Sequence, residues 1–279
     1  MIYRIFSVAC AVLLLVNVAE AKTVRIAMMH GVPEKWGVEA NFKVFLEQVE
    51  VAAKGEADVM ITPECWLDGY AAPDKKSTPE KLRAIAQDLE ESDYLKQVSA
   101  LAKQHKMQIC FGFSSLENDQ VYNTAGLWGR DGKLIGLYHK NHLQTHDLQY
   151  SYGEDLPVFD ADKLGTVGMM ICADRRWPET VRTMRLKGAK LILNPTYGFW
   201  GDMNTAIMRT RSFENQCFIA FTHPQNSLVT GPKGQIVFEW EGDGEAGVKF
   251  CTIDLSEAKD NNHIQDRRPE LYGVIAETE

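Results

Sequence analysis

Three reactive side chains stand at the ends of apolar runs. Glu64 follows Val59-Met60-Ile61-Thr62-Pro63, Lys140 follows Leu134-Ile135-Gly136-Leu137-Tyr138-His139, and Cys172 follows Val167-Gly168-Met169-Met170-Ile171. Each run reads as a strand, and ligands of open α/β sheets bind where strands end at their carboxyl side. If the three ends meet, a carboxylate can take the proton from a thiol whose unperturbed pKa is about 8.5. An ammonium can then hold the negative charge that grows on a substrate oxygen. The polar turn Ala173-Asp174-Arg175-Arg176-Trp177-Pro178-Glu179 opens a helix after Cys172, and a helix N-terminus favours a thiolate. Each residue also has a plainer reading. Cys172 can be a packed core thiol, Glu64 a surface carboxylate, and Lys140 a solvated lysine beside His139 and His142.

The elements that would position these residues alternate. Val24–Met29 predicts a strand and Asn41–Lys54 a helix, with Phe42, Phe45, Leu46 and Val49 at helical spacing. Asp58–Thr62 predicts a strand, and Pro79–Gln104 one or two helices. Strands follow at Gln108–Ser114, Val121–Gly129 and Lys133–His139, then at Gly165–Ile171. Beyond Cys172 come a helix over Glu179–Lys187, a strand over Leu191–Asn194, a helix over Asn204–Asn215, and strands at Phe218–His223, Ile236–Glu241 and Gly247–Asp254. Alternation that ends in consecutive strands points to a layered α/β domain rather than an eightfold barrel.

The first 21 residues are different material: Arg4, an apolar run from Ile5 to Val18, then Ala19-Glu20-Ala21. That order is a secretory signal peptide; the alternative, an uncleaved anchor, suffers from a run short for a bilayer. The expectation is an exported (periplasmic or secreted) protein whose single domain spans 22–279. A net charge of -8 argues against nucleic acid or an anionic membrane surface as partner. Cys65, Cys110, Cys172, Cys217 and Cys251 remain after the leader, an odd number that leaves at least one thiol free. Cys110 and Cys251 read as small hydrophobes in strands, a pairing of Cys65 is left open, and no zinc-ligand spacing is present.

Three segments carry a family resemblance: Pro63-Glu64-Cys65-Trp66-Leu67-Asp68-Gly69-Tyr70, Tyr138-His139-Lys140-Asn141-His142-Leu143 and Ile171-Cys172-Ala173-Asp174-Arg175-Arg176-Trp177-Pro178-Glu179. They resemble the active-site blocks of the nitrilase superfamily, the carbon-nitrogen hydrolases. Gly153–Asp160, Arg209–Gln216, Gly231–Gly234 and Asp266–Tyr272 fit the same pattern in order along the chain. The resemblance implies a four-layer αββα sandwich and a Glu64/Lys140/Cys172 triad. It also implies a thioester acyl-enzyme, an oxyanion held by Lys140 and the Ala173 N–H, and no metal or organic cofactor. Helices after the cysteine commonly dimerise in the family, so a homodimer or larger homo-oligomer is implied. Many members carry a second glutamate eight residues beyond the lysine; here that position is Leu148, and Asp147 is the nearest carboxylate.

Members that act on nitriles usually have Trp-Glu after the nucleophile. Ala173-Asp174 is closer to the amidase and N-carbamoyl amidohydrolase branches. Arg175 resembles arginines that grip a substrate carboxylate, with a structural ion pair as its other reading. Asn194, after a strand, is a candidate to hydrogen-bond the leaving group, and Tyr197, Phe199 and Trp200 could wall a pocket. The expected reaction is cleavage of a small amide or carbamoyl compound with release of ammonia. A nitrilase, or a non-catalytic binding protein of this fold, is the alternative.

Overall fold

The computed structural model describes residues 23–277, so the expected leader lies outside the described residues. The first half of the chain gives β1 (Thr23–His30), α1 (Val38–Lys54), β2 (Val59–Ile61), α2 (Pro79–Ile85), β3 (Gln87–Asp88), α3 (Asp93–His105), β4 (Gln108–Glu117), β5 (Gln120–Trp128) and β6 (Leu134–His139). The second half gives β7 (Val158–Asp160), β8 (Thr166–Met169), α4 (Pro178–Leu186), β9 (Leu191–Pro195), α5 (Asp202–Asn215), β10 (Phe218–His223) and β11 (Asn226–Thr230). It closes with β12 (Ile236–Glu241), β13 (Gly247–Asp254) and the short α6 (Asn262–Gln265).

Two sheets face each other. One has the order β13-β1-β2-β4-β5-β6, with β3 beside β4; the other runs β12-β11-β10-β9-β8-β7. Strand alternation assigns the layers. Val24, Ile26 and Met28 of β1 point into the core shared with Val167, Met169, Leu191 and Leu193 of the second sheet. Ala27 and Met29, one residue out of phase, pack with Phe42, Phe45 and Val49 of α1 and with Val98 of α3. On the far side, Val181 and Met184 of α4 and Met208 of α5 cover the second sheet. The result is the four-layer αββα sandwich, a single domain.

One expectation needs correction and two gain detail. The Pro79–Gln104 tract is two helices, parted by β3 and started by separate caps, Thr78 Oγ1 on Lys81 N–H and Ser92 Oγ on Leu95 N–H. Strands β7 and β11 lie where the sequence suggested none. The turn expected after Cys172 is a 3₁₀ turn over residues 172–176, and α4 opens just after it.

Candidate active site

The first sheet delivers Glu64 and Lys140. After β2, Thr62 N–H bonds Cys110 O at 3.0 Å and Thr62 Oγ1 accepts Gly112 N–H at 2.9 Å, which pins the chain onto β4 just before Glu64. A Cβ on Gly112 would come within 2.5 Å of Pro63 O, so the close approach needs glycine there. Glu64 is fully buried. Its Oε1 accepts from Lys140 Nζ at 2.8 Å and Asn123 Nδ2 at 2.8 Å, and its Oε2 from the Tyr197 N–H at 3.0 Å.

Lys140, one residue past β6, is also fully buried. Besides Glu64, its Nζ meets Asp147 Oδ2 at 2.6 Å and Tyr70 OH at 3.4 Å. Asp147, on a 3₁₀ turn, accepts Tyr70 OH on its other oxygen. Burial opposes the charge on Lys140, but the negative groups Glu64, Cys172 and Asp147 outweigh it and hold the amine well above its ordinary pKa. One ammonium between two carboxylates leaves this buried cluster with surplus negative charge when all three are ionised.

The second sheet delivers Cys172, three residues past β8, with a left-handed φ of 46° that turns the side chain out of the strand direction. Burial, then the nearby Glu64 charge, push its thiol pKa up; Lys140 and Arg175 pull the other way without prevailing. The net shift runs against the thiolate that a helix N-terminus favours. Asp174 fastens the turn to the lysine segment: it accepts from Ile171 N–H (3.0 Å), Tyr138 OH (2.7 Å), His142 N–H (2.9 Å) and His142 Nδ1 (2.7 Å).

The structure thus brings Glu64, Lys140 and Asp147 into one cluster, of which the Glu64 and Lys140 charges act on Cys172. Arg175 is buried beneath the turn. Its Nε donates to Asn204 Oδ1 at 2.6 Å, Nη2 to Phe199 O at 2.6 Å and Nη1 to Cys172 O, while Nη1 lies 3.6 Å from Cys172 Sγ. Asn194 does not contact the cluster side chains; its Nδ2 bonds Met170 O at 3.1 Å. The Tyr70 and Tyr197 rings lie 5.2 Å apart beside Lys140 and Glu64. The sequence reading did not single out Tyr70 and Asn123 for the site, although Tyr70 lies within the quoted glutamate block. The one signal for Asn123 was an amide between the apolar Val121 and Ala125 on one face of the expected strand. All five described cysteines are free. Among the described residues no group of three or more His, Cys, Asp or Glu is arranged to hold a metal ion.

Comparisons with known proteins give the family and the fold. The carbon-nitrogen hydrolase family model matches residues 24–261. The "Hydrolase in pqqF 5′ region" of Pseudomonas protegens is 31% identical, covering 93% of this chain and 94% of its own length. The 2-oxoglutaramate amidase of Bacillus subtilis is 30% identical over 77% of this chain and 87% of its own. Among solved structures, an amidase of the nitrilase superfamily from Nesterenkonia AN1 superposes with a TM-score of 0.74 at 23% identity, covering 89% of this chain and 95% of that one. The chain belongs to the carbon-nitrogen hydrolase family, the enzymes that cleave non-peptide C–N bonds.

Proposed function

We propose that this enzyme hydrolyses the amide or N-carbamoyl group of a small molecule through a thioester on Cys172, releasing ammonia. The observation that carries the reading is the buried Glu64–Lys140 pair, 2.8 Å apart, whose charges bear on the Cys172 thiol. A neutral thiol needs a base at the moment of attack. Glu64 takes the Cys172 proton as sulfur bonds to the carbonyl carbon, and the C=O electron pair moves onto oxygen. Lys140 and the Ala173 N–H hold that oxyanion. Of the Lys140 contacts, the 3.4 Å one to Tyr70 OH is the loosest and is the one an oxyanion replaces. The collapsing intermediate expels the nitrogen, which takes the proton from Glu64 and leaves as ammonia. Glu64 then deprotonates a water that attacks the thioester, and the thiol is restored as the acid leaves. Asp147 keeps Lys140 charged and aimed, Arg175 braces the turn from below, and Asn194 holds the end of β8 against β9.

Relatives support the amide side: one is a 2-oxoglutaramate amidase, another an N-carbamoylputrescine amidase from rice. A 28% identical relative is a nitrilase from Pyrococcus abyssi, so nitriles belong in the test. Ammonia release is measured across aliphatic amides, ω-amides of dicarboxylic acids, N-carbamoyl compounds and nitriles, with wild type and Cys172→Ala. The expected result is turnover of at least one amide or carbamoyl class by wild type alone, with a thioester mass adduct on the quenched enzyme. Equal turnover by the two proteins removes the mechanism, and turnover of nitriles alone removes the substrate class.

A further inference from the structure

We propose that Asn123 is a positioning residue that sets the base and the cation of this site in register, and that proton transfer from Cys172 depends on it. The inference rests on Glu64 acting as the base. Asn123 lies on β5, fully buried, and touches both partners in different ways. Its backbone carbonyl accepts the Lys140 N–H at 2.9 Å, extending the β5–β6 pairing by one residue and fixing where the lysine leaves the sheet. Its side-chain Nδ2 donates to Glu64 Oε1 at 2.8 Å, the oxygen that also receives Lys140 Nζ.

The orientation of the amide follows from chemistry. A carboxylate only accepts, so the NH₂ end must face Glu64. The other end, Oδ1, then points away and has no hydrogen-bond partner among the described residues. Its neighbours on the same face of the strand, Val121 and Ala125, are apolar and buried. A residue kept for packing would be apolar like them. An amide at this place serves the one bond it makes, and that bond resists the pull of Lys140. Without it, the Lys140 ammonium is the only side chain bonded to Oε1, and the carboxylate turns toward that cation and away from the thiol.

The surrounding charges do not duplicate this role. Around Glu64 stand Lys140 and, across it, Asp147; Tyr70 and Cys65 from the loop after β2; Tyr197 after β9; and Cys172. Among the described residues, Tyr197 holds Oε2 through a backbone N–H, and Asn123 is the one neutral side chain bonded to Oε1.

Asn123→Ala removes the donor and Asn123→Asp replaces it with a group of the same shape that cannot donate when ionised; both keep the backbone hydrogen bond from the Lys140 N–H. The main readout is alkylation of Cys172 by iodoacetamide from about pH 5 to about pH 9, followed on the Cys172 peptide by mass spectrometry. It needs no knowledge of the substrate, so a failed amide panel would leave it intact. The expected result is slowing by about tenfold or more at pH 7 in both variants, with the profile moved to higher pH. On any amide that is turned over, kcat falls while KM changes little. Melting temperature is recorded alongside. Alkylation by Asn123→Ala at the wild-type rate with an unmoved profile overturns the proposal. So does a rate loss that only follows a fall in melting temperature while the profile stays in place.

Discussion

At the scale of single residues, the site is a problem of surplus negative charge. Glu64 and Asp147 share the Lys140 ammonium at 2.8 and 2.6 Å, all three fully buried. An unpaired buried charge is costly, so the Tyr70 hydroxyl and the Asn123 amide act as auxiliary donors to Asp147 and Glu64. The arrangement has a geometric consequence: Asp147 shares the ammonium, so Lys140 is not held by Glu64 alone. Asp147→Asn keeps the shape and removes the competing charge. Lys140 then settles on Glu64 and the base weakens. The expected outcome is a fall in kcat of about tenfold or more with KM nearly unchanged. Steady-state kinetics on any accepted amide decides it, and an unchanged kcat would reduce Asp147 to a polar loop residue.

At the scale of elements, strand ends and the loops behind them do the positioning. The segment after β9 illustrates it: Tyr197 gives its N–H to Glu64, Gly198 O lies 3.9 Å from Cys172 Sγ, and Trp200 packs over His223 at the end of β10, ring centres 4.6 Å apart. His223 is buried between Trp200 and Phe221, and its Nδ1 accepts the Gln225 N–H at 3.0 Å. Burial lowers its pKa from 6.5 to about 4. The unfolded chain therefore binds a proton that the folded one refuses as pH falls below about 6.5, and the deficit is complete near pH 4. Folding stability should drop by about 3 kcal/mol across that window from this residue. Urea unfolding at several pH values should show a shallower acid loss for His223→Gln than for wild type; equal slopes would contradict it. The reactive strand ends were legible in the sequence because apolar runs stop abruptly at Glu64, Lys140 and Cys172. Strand β11 was not, because Asn226, Ser227 and Thr230 look like loop residues until partners satisfy them. Asn226 Nδ2 bonds Trp240 O at 2.9 Å, and Thr230 Oγ1 pairs with Ser212 Oγ at 2.7 Å. Asn123 escaped notice for a related reason: one polar residue in a strand has meaning only once Glu64 is seen opposite it.

At the scale of the molecule, the outer layer of α4 and α5 is tied directly to the nucleophile turn. Arg211 of α5 donates to Arg175 O at 3.1 Å and to Arg176 O at 2.8 Å, and α4 begins as the turn ends. The same layer carries a groove of about 820 Å³ between α4, α5 and the C-terminal segment. Its lining mixes exposed apolar side chains, Leu186, Phe213 and Ile275, with both charge signs in Glu179, Arg182 and Arg267. Arg182 holds the groove open in a fixed shape through bonds to His263 O at 3.0 Å and Glu214 O at 2.7 Å. An apolar centre with both charge signs at its rim suits an isologous contact across a twofold axis, so a second copy of this chain is the expected occupant. A stable dimer must bury roughly 1,200 Å² or more in total, which the two helices and the C-terminal segment can supply together. Light scattering on the purified protein should return twice the chain mass, and Phe213→Asp should convert it to monomer by placing a charge in the apolar centre. Because α5 grips the Cys172 turn, the monomer should also lose kcat while its far-UV spectrum stays native. A wild type that is monomeric at micromolar concentration would overturn the pairing, and a Phe213→Asp dimer as tight as wild type would remove this groove from it.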